Sequence, residues 1–169
     1  VIPTATKLPN ISGAFIAINI PLQIKTAKST NTRIHPTNPN QIAIATTAAQ
    51  KVYVSNDGGA TWNSYLYNLP NFSAQALVWE NNTTNGLYLG MNYGVYYIDN
   101  DSSNQWKTFS NNLPNVIISE LEINYVDSKI YAGTYGRGLW RSNLYDETLG
   151  FADNVKSTLQ IYPNPASDE

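Results

Sequence analysis

The sequence predicts an all-β protein built from repeated units of four short strands, and three observations support this prediction. First, sequence features recur every 44 residues, since Trp62 returns as Trp106 and Asp57 returns as Asp101. Second, β-branched and aromatic residues form short runs that Gly, Asn, Ser and Pro separate. Third, no segment of about ten or more residues shows the 3.6-residue period of an amphipathic helix, so we expect almost no helix.

The repeat length indicates the architecture. A period of about 40 to 50 residues with several short strands per unit is typical of β-propeller blades. The tripeptide Leu69-Pro70-Asn71 also returns one period later as Leu113-Pro114-Asn115. In the middle unit we predict strands at 76–80, 86–90, 95–99 and 105–110. Apolar runs such as Leu77-Val78-Trp79 predict strands that are covered on both faces, as in stacked blades.

These repeats predict a partial β-propeller with two full blades and a three-stranded one. The predicted segments are the end of a preceding blade at 1–13, an insertion with an extra hairpin at 14–29, blades at 30–73 and 74–117, a three-stranded blade at 118–144 and a linker at 145–157. A closed propeller has about four to eight blades. We therefore expect the remainder of the ring to belong to a larger parent protein; an open or self-associating β unit is the alternative.

One loop carries a recognisable motif between two predicted strands. Its aspartate is placed to accept hydrogen bonds from backbone N–H groups, and its two glycines supply the positive φ angles of a tight turn. The stretch 55–62 resembles the Asp-box of BNR-repeat β-propellers, whose motif positions are filled by Ser55, Asp57, Gly59, Thr61 and Trp62. A degraded second copy keeps Asp101 and Trp106. The resemblance implies a structural role for these residues, far from any active site.

A second resemblance lies near Glu169. The segment 133–140 looks like the closing blade of secreted bacterial BNR-type proteins. The segment 158–169 resembles the start of the C-terminal sorting domain of type IX secretion substrates in Bacteroidetes, on the motif Tyr162-Pro163-Asn164-Pro165. This resemblance implies a secreted or outer-surface protein that the type IX secretion machinery handles. An ordinary proline-rich turn is the alternative.

Composition excludes several classes of function. The net charge of −2 provides no basic field for nucleic acid, and no apolar run is long enough to span a membrane. The absence of cysteine excludes disulfides, thiolate metal sites and cysteine nucleophiles. Phosphate-binding glycine loops, zinc spacings and EF-hand loops are also missing. We therefore predict no cofactor and no metal.

No set of residues matches a catalytic constellation. Asp57 and Asp101 fall in equivalent loops of different blades, too far apart to flank one reacting bond. Sialidases, which share the Asp-box, clamp the substrate carboxylate with three arginines, and Arg33, Arg137 and Arg141 are the candidates here. Arg33 reads as a surface strand residue, and Arg137 as an anchor of its turn. We predict no catalytic residue in this chain.

The tyrosines suggest a binding surface. Most of them are expected to pack between blades, whereas Tyr93 and Tyr135 lie in turns beside glycines and are expected to face a ligand, together with Arg137. We expect Glu80 and His35 to be exposed at strand ends.

The leading hypothesis is a non-catalytic propeller portion of a secreted or cell-surface protein that binds glycans or a surface protein, as an adhesin does, or serves assembly. The alternative is a fragment of a propeller glycoside hydrolase, sialidase-like or xyloglucan-active, with its catalytic residues upstream.

Overall fold

The computed structural model describes residues 28–146, and these residues form three antiparallel sheets without an α-helix. The first sheet contains β1 (Ser29–Ile34), β2 (Ile42–Thr46), β3 (Val52–Ser55) and β4 (Asn63–Ser64). The second contains β5 (Ala74–Trp79), β6 (Leu87–Met91), β7 (Val95–Ile98) and β8 (Lys107–Thr108). The third contains β9 (Ile118–Asn124), β10 (Lys129–Thr134) and β11 (Gly138–Asn143).

Each sheet is a meander in which consecutive strands pair. The prediction of an all-β fold with two four-stranded sheets and one three-stranded sheet is confirmed. The fourth strands are shorter than predicted, since β8 has two residues instead of the six at 105–110. The predicted segments 1–13 and 158–169, most of the insertion and nearly all of the linker lie outside the described residues. Between residues 28 and 146 no helix has the length and apolar character needed to cross a membrane.

The first strand of each sheet contains the same irregularity. The register shifts between Ser29 and Asn31 in β1, between Ala74 and Ala76 in β5, and opposite Gly133 and Thr134 in β9. Such β-bulges bend a strand and increase its twist. The three first strands therefore enter their sheets with one shared distortion, which the 44-residue repeat reproduces.

The sheets pack face to face through two apolar clusters. In one cluster Leu77 and Trp79 of β5 lie against β2 and β3 of the first sheet. In the other, Val78 and Tyr88 lie against β9 and β10 of the third sheet. Because successive side chains of a strand point to opposite faces, β5 contributes to both clusters. The five residues of β6 are all buried for the same reason.

Neighbouring sheets contact each other along their first strands, where β1 contacts β5 and β5 contacts β9. Hydrogen bonds there join residues that are one repeat apart. Thr30 donates through Oγ1 to the carbonyl oxygen of Ala74 at 2.8 Å, and the backbone N–H of Asn81 donates to the hydroxyl of Tyr125 at 2.8 Å. Equivalent positions of neighbouring sheets therefore contact each other directly.

Gly90 lies on β6 where Ile118 of the third sheet packs closely against the second sheet. A Cβ atom at Gly90 would come within 2.6 Å of Ile118 Cγ2, whereas a Cβ at the equivalent Gly133 would lie 3.5 Å from its nearest neighbour. We expect Gly90→Ala to lower the free energy of unfolding by about 1–3 kcal/mol through overpacking. The matched variant Gly133→Ala is expected to change it by less than about 0.5 kcal/mol. Urea denaturation measures both, and equal effects would contradict the assigned interface.

Candidate functional site

The loop between β3 and β4 is closed by side-chain hydrogen bonds. Asp57 Oδ1 accepts from the backbone N–H of Thr61 at 2.8 Å, and Oδ2 accepts from the Thr61 hydroxyl at 2.6 Å. Ser55 donates through Oγ to Asp57 Oδ1 at 2.8 Å and accepts from the N–H of Gly59 at 2.8 Å. Trp62 is half-buried and donates through Nε1 to the carbonyl oxygen of Gly59 at 3.1 Å.

The charge of Asp57 is part of this arrangement. Hydrogen bonds from the side chain and backbone of Thr61, and then from Ser55, lower the pKa of Asp57 to about 2. Both carboxylate oxygens are used inside the loop, so this group is poorly placed to take a proton from a substrate. The geometry indicates that Asp57 stabilises the loop between β3 and β4.

The equivalent loop of the second sheet uses different residues. Ser102 donates through Oγ to Asp99 Oδ1, and its Oγ accepts from the backbone N–H of Asp99. Asp101, which the repeat predicts as the counterpart of Asp57, is exposed. Trp106 is buried and donates through Nε1 to the carbonyl oxygen of Tyr65 at 2.7 Å, which ties the second sheet to the segment after β4.

Aromatic rings project from the end of the sheets where the first strands begin. The backbone N–H of Asn92 donates to the carbonyl oxygen of Ser73, and that of Tyr135 donates to Ile117, so the β6–β7 and β10–β11 turns lie beside the starts of β5 and β9. Tyr93 is 50% exposed and Tyr135 is 75% exposed. We call the rings of Phe72, Tyr93 and Tyr135 the aromatic rim; Phe72 and Tyr93 have ring centroids 4.7 Å apart.

Arg137 lies at the tip of the β10–β11 turn, next to the rim. Gly136 and Gly138 on either side have φ angles of 75°, which favour glycine. The carbonyl oxygen of Arg137 accepts a hydrogen bond from Trp140 Nε1 at 2.9 Å, while its side chain is exposed. The turn is thus fixed through the backbone of Arg137, and its guanidinium points into solvent.

The three arginines do not form one clamp. Arg33 lies on β1, whereas Arg137 lies in the β10–β11 turn and Arg141 on β11. Arg33 donates through Nε to the carbonyl oxygen of Leu77 at 3.0 Å and through Nη2 to the carboxylates of Glu120 and Glu122, the latter at 3.0 Å. Arg33 was expected to be a surface residue; it links the first strands of all three sheets.

An open hollow of about 280 Å³ lies where the three first strands end. We call it the strand-end hollow, and it is at the opposite end of the sheets from the aromatic rim. Tyr125 closes one side, since its hydroxyl accepts from the N–H of Asn81. The lining residues are Arg33, Ile34, Pro36, Val78, Trp79, Glu122, Ile123 and Tyr125.

His35 is buried, contrary to the expectation of an exposed strand end. Only 4% of its surface is exposed, and its ring meets the ring of Trp79 edge-on at 5.3 Å. Nδ1 lies 3.3 Å from the backbone N–H and the hydroxyl of Thr37, and Nε2 has no hydrogen-bond partner in the described part of the chain. Burial lowers the pKa of His35.

Glu80 is also buried, and the expectation of exposure was wrong. The hydroxyl of Tyr88 donates to Glu80 Oε2 at 3.0 Å and accepts from the backbone N–H of Tyr145 at 2.7 Å. Burial raises the pKa of Glu80, which hydrogen bonds from Tyr88 and Asn82 oppose. The alternation of polar and apolar residues along β5 did not predict the burial of Glu80, because its hydrogen-bond partner Tyr88 is on the next strand. The presence of an acidic residue at 80 and a tyrosine at 88 was the available indication of this pair.

Tyr145, which composition placed in a linker, packs against the second sheet. Its ring stacks on Tyr97 with centroids 4.2 Å apart and planes inclined by 23°, and Lys107 Nζ lies 4.9 Å from its ring centroid. Tyr145 therefore fills the space between the second and third sheets after β11 has ended. Among residues 28–146 no group of three or more acidic or histidine side chains is placed to hold a metal ion.

The loop geometry predicts unequal effects of two equivalent aspartates. We expect Asp57→Ala to lower the urea midpoint, because Thr61 and Ser55 lose their acceptor. Asp101→Ala is the matched control and is expected to leave the midpoint unchanged. Since the pKa of Asp57 is lowered, its contribution is present above the ordinary value of 3.8 and is lost as the pH falls toward 2. Equal losses in the two variants would refute the assigned role.

The burial of His35 predicts a pH dependence of stability. Because the folded-state pKa lies below the ordinary 6.5, the unfolded chain takes up the proton first, and stability is lost as the pH falls below that value. Urea midpoints at about pH 7.5 and about pH 5 should diverge more in the natural chain than in His35→Asn. The raised pKa of Glu80 acts in the opposite direction and is common to both proteins. An unchanged difference would show that His35 is not the titrating group.

Solved structures with a similar fold include those of two GH74 enzymes. The crystal structure of an ancestral GH74 enzyme is 17% identical with a TM-score of 0.53, and the match covers 68% of this chain and 17% of that one. The GH74 enzyme of Niastella koreensis is 15% identical with a TM-score of 0.52, covering 65% of this chain and 19% of that one. Searches against family models and curated proteins found no match. The chain spans less than a fifth of either enzyme, and the similarity identifies its sheets as part of a β-propeller.

Proposed function

We propose that this chain is a non-catalytic propeller portion of a larger secreted or surface-attached protein, and that it binds its ligand at the aromatic rim. The observation that carries the proposal is the exposure of Tyr93 and Tyr135 on equivalent turns at one end of neighbouring sheets. Large exposed rings that do not serve the core are characteristic of binding surfaces.

The chemistry of the rim suits a glycan. Tyrosine rings present a flat apolar face and a hydroxyl at a low cost in conformational entropy. The exposed guanidinium of Arg137 adds planar hydrogen-bond donors at the same turn. A fixed turn backbone holds these groups in place, so little order has to be gained on binding. An exposed surface protein is the second class of ligand that these residues fit.

The segment 158–169 supports a proposal about location. Its Tyr-Pro-Asn-Pro motif resembles a type IX sorting signal, and the low share of charged residues, 13%, agrees with an exported β protein. We infer that the parent protein is secreted or attached to the outer surface, and that the type IX secretion machinery recognises this segment. The remainder of the parent protein completes the propeller ring.

The alternative function is a fragment of a glycoside hydrolase. Its support is the similarity in fold to two GH74 enzymes. In that case the catalytic residues lie upstream, and the rim would hold a polysaccharide while it is cut elsewhere. Assays of the full-length protein on xyloglucan and on sialosides separate the two functions, because only the alternative predicts release of sugar.

Binding to a glycan array tests the rim. The 169-residue chain is expected to bind at least one glycan, and Tyr93→Ala and Tyr135→Ala are each expected to weaken that binding about tenfold. Val126→Ala is the matched control, because this side chain is 97% exposed in the β9–β10 turn, away from the rim. Glycan binding that survives the double tyrosine variant would overturn the site, and absence of glycan binding would overturn the ligand class.

A further inference from the structure

We propose that the segment 14–26 of this chain packs on the outer face of the first sheet and covers it. The outer face is the side of the first sheet that points away from the second sheet, and it carries Ile42 and Ile44 of β2. The proposal does not involve the aromatic rim, so it holds or fails separately from the proposed function.

The alternation of side chains along β2 shows which residues lie on the outer face. Ala43 and Ala45 belong to the apolar cluster that joins the first sheet to the second. Because successive side chains of a strand point to opposite faces, Ile42 and Ile44 point away from the second sheet. In the described part of the chain the third sheet packs on the far side of the second, so it lies away from this face.

Both isoleucines are buried all the same. Ile42 is 2% exposed and Ile44 is 1% exposed, although they belong to neither of the clusters that join the described sheets. The outer face of the third sheet is different, because Tyr131 there is half-buried and Leu139 is 70% exposed. The burial of the two isoleucines therefore requires a cover that comes from outside residues 28–146.

The segment 14–26 has the sequence of such a cover. Every even-numbered position from 16 to 24 is a large aliphatic residue, namely Ile16, Ile18, Ile20, Leu22 and Ile24. The odd-numbered positions from 19 to 25 are occupied by Asn, Pro, Gln and Lys. A period of two over five apolar residues predicts an extended segment with one apolar face. The isoleucines of β2 offer an apolar surface on which that face can be removed from water.

The position of the segment in the chain also favours it. The segment ends three residues before Ser29, where β1 begins, and β1 pairs with β2. Residues 1–13 have no comparable period of apolar residues. Residues 147–169 follow the third sheet, and the second sheet stands between that sheet and the first. The segment 14–26 is thus the part of this chain with both the pattern and the proximity.

Such a cover changes how the propeller ring continues. By the strand pairings, Ile42 and Ile44 hold the positions that Leu87 and Leu89 hold in the second sheet. Those leucines pack on the preceding sheet. The segment 14–26 therefore takes the place of a preceding sheet, and the remainder of the parent protein contacts this segment instead of β2.

Disulfide trapping tests the proposal without background, because the chain contains no cysteine. Ile44→Cys is combined in turn with a cysteine at each even-numbered position from 16 to 24, and the oxidised protein is analysed by peptide mass. At least one pair is expected to form an intramolecular disulfide, which requires Cα atoms within about 7 Å and Cβ atoms that face each other. The matched controls Ala17→Cys, Asn19→Cys and Gln23→Cys point the other way and are expected to react at least about fivefold less.

Tyr53→Cys keeps the test usable if urea denaturation shows that Ile44→Cys does not fold, because Tyr53 lies directly opposite Ile44 on β3. Equal yields at even and odd positions, or no disulfide at any, would overturn the proposal. Disulfide-linked dimers would assign the outer face to a second copy, and trapping by Leu159→Cys or Ile161→Cys would assign it to the segment after residue 146. Loss of the disulfide in the full-length parent protein would assign the face to a preceding blade. Each of these three results would also overturn the proposal, and none of them bears on glycan binding at the aromatic rim.

Discussion

The contact between one sheet and the next is the interaction on which the rest of the structure depends. Leu77 and Trp79 pack on the first sheet, while Val78 between them packs on the third. A sheet with two apolar faces needs a neighbour on each side to remove both faces from water. The second sheet is therefore stable only when the first and third sheets pack against it. Its stability comes from the contacts between neighbouring sheets, as in other repeat proteins.

The need for close packing between sheets explains why a glycine occurs at position 90. It also explains why the outer face of the third sheet differs in polarity from the equivalent face of the second. Gly90 has no side chain, and this allows Ile118 of the third sheet to pack directly on the second sheet. The distance between the two sheets therefore depends on this glycine. Glu120 and Glu122 of β9 stand where β5 has Ala76 and Val78, as the strand pairings show. The outer face of the third sheet is consequently polar, and Arg33 neutralises part of it from the first sheet.

Much of the fold could be predicted because its information is local and repeated. Alternation and turn residues located the strands, and the recurrence of Trp62 at Trp106 located the sheets. Two rings of the aromatic rim could be anticipated too, because Tyr93 and Tyr135 follow strands and precede glycines, whereas Phe72 was not singled out. The assignment of these residues to ligand binding remains a prediction.

Other features could not be predicted because they depend on contacts between distant residues. His35 is covered by Trp79, and Glu80 is satisfied by Tyr88, so neither burial follows from the adjacent sequence. Arg33 finds its carboxylates on β9, about two repeats away. The strand-end hollow likewise exists only where three first strands converge, and no single segment of sequence signals it.

Tyr145 also determines how the chain responds to mechanical load. The strand β11 is an edge of its sheet among the described residues, and a tension applied beyond Asp146 would peel such an edge one hydrogen bond at a time. The backbone N–H of Tyr145 is held by Tyr88, and its ring is stacked on Tyr97 of another sheet. Tension therefore reaches this anchor before it reaches β11, and must shear two rings apart before unzipping begins. A protein tethered through this end would transmit a pull into two sheets at once.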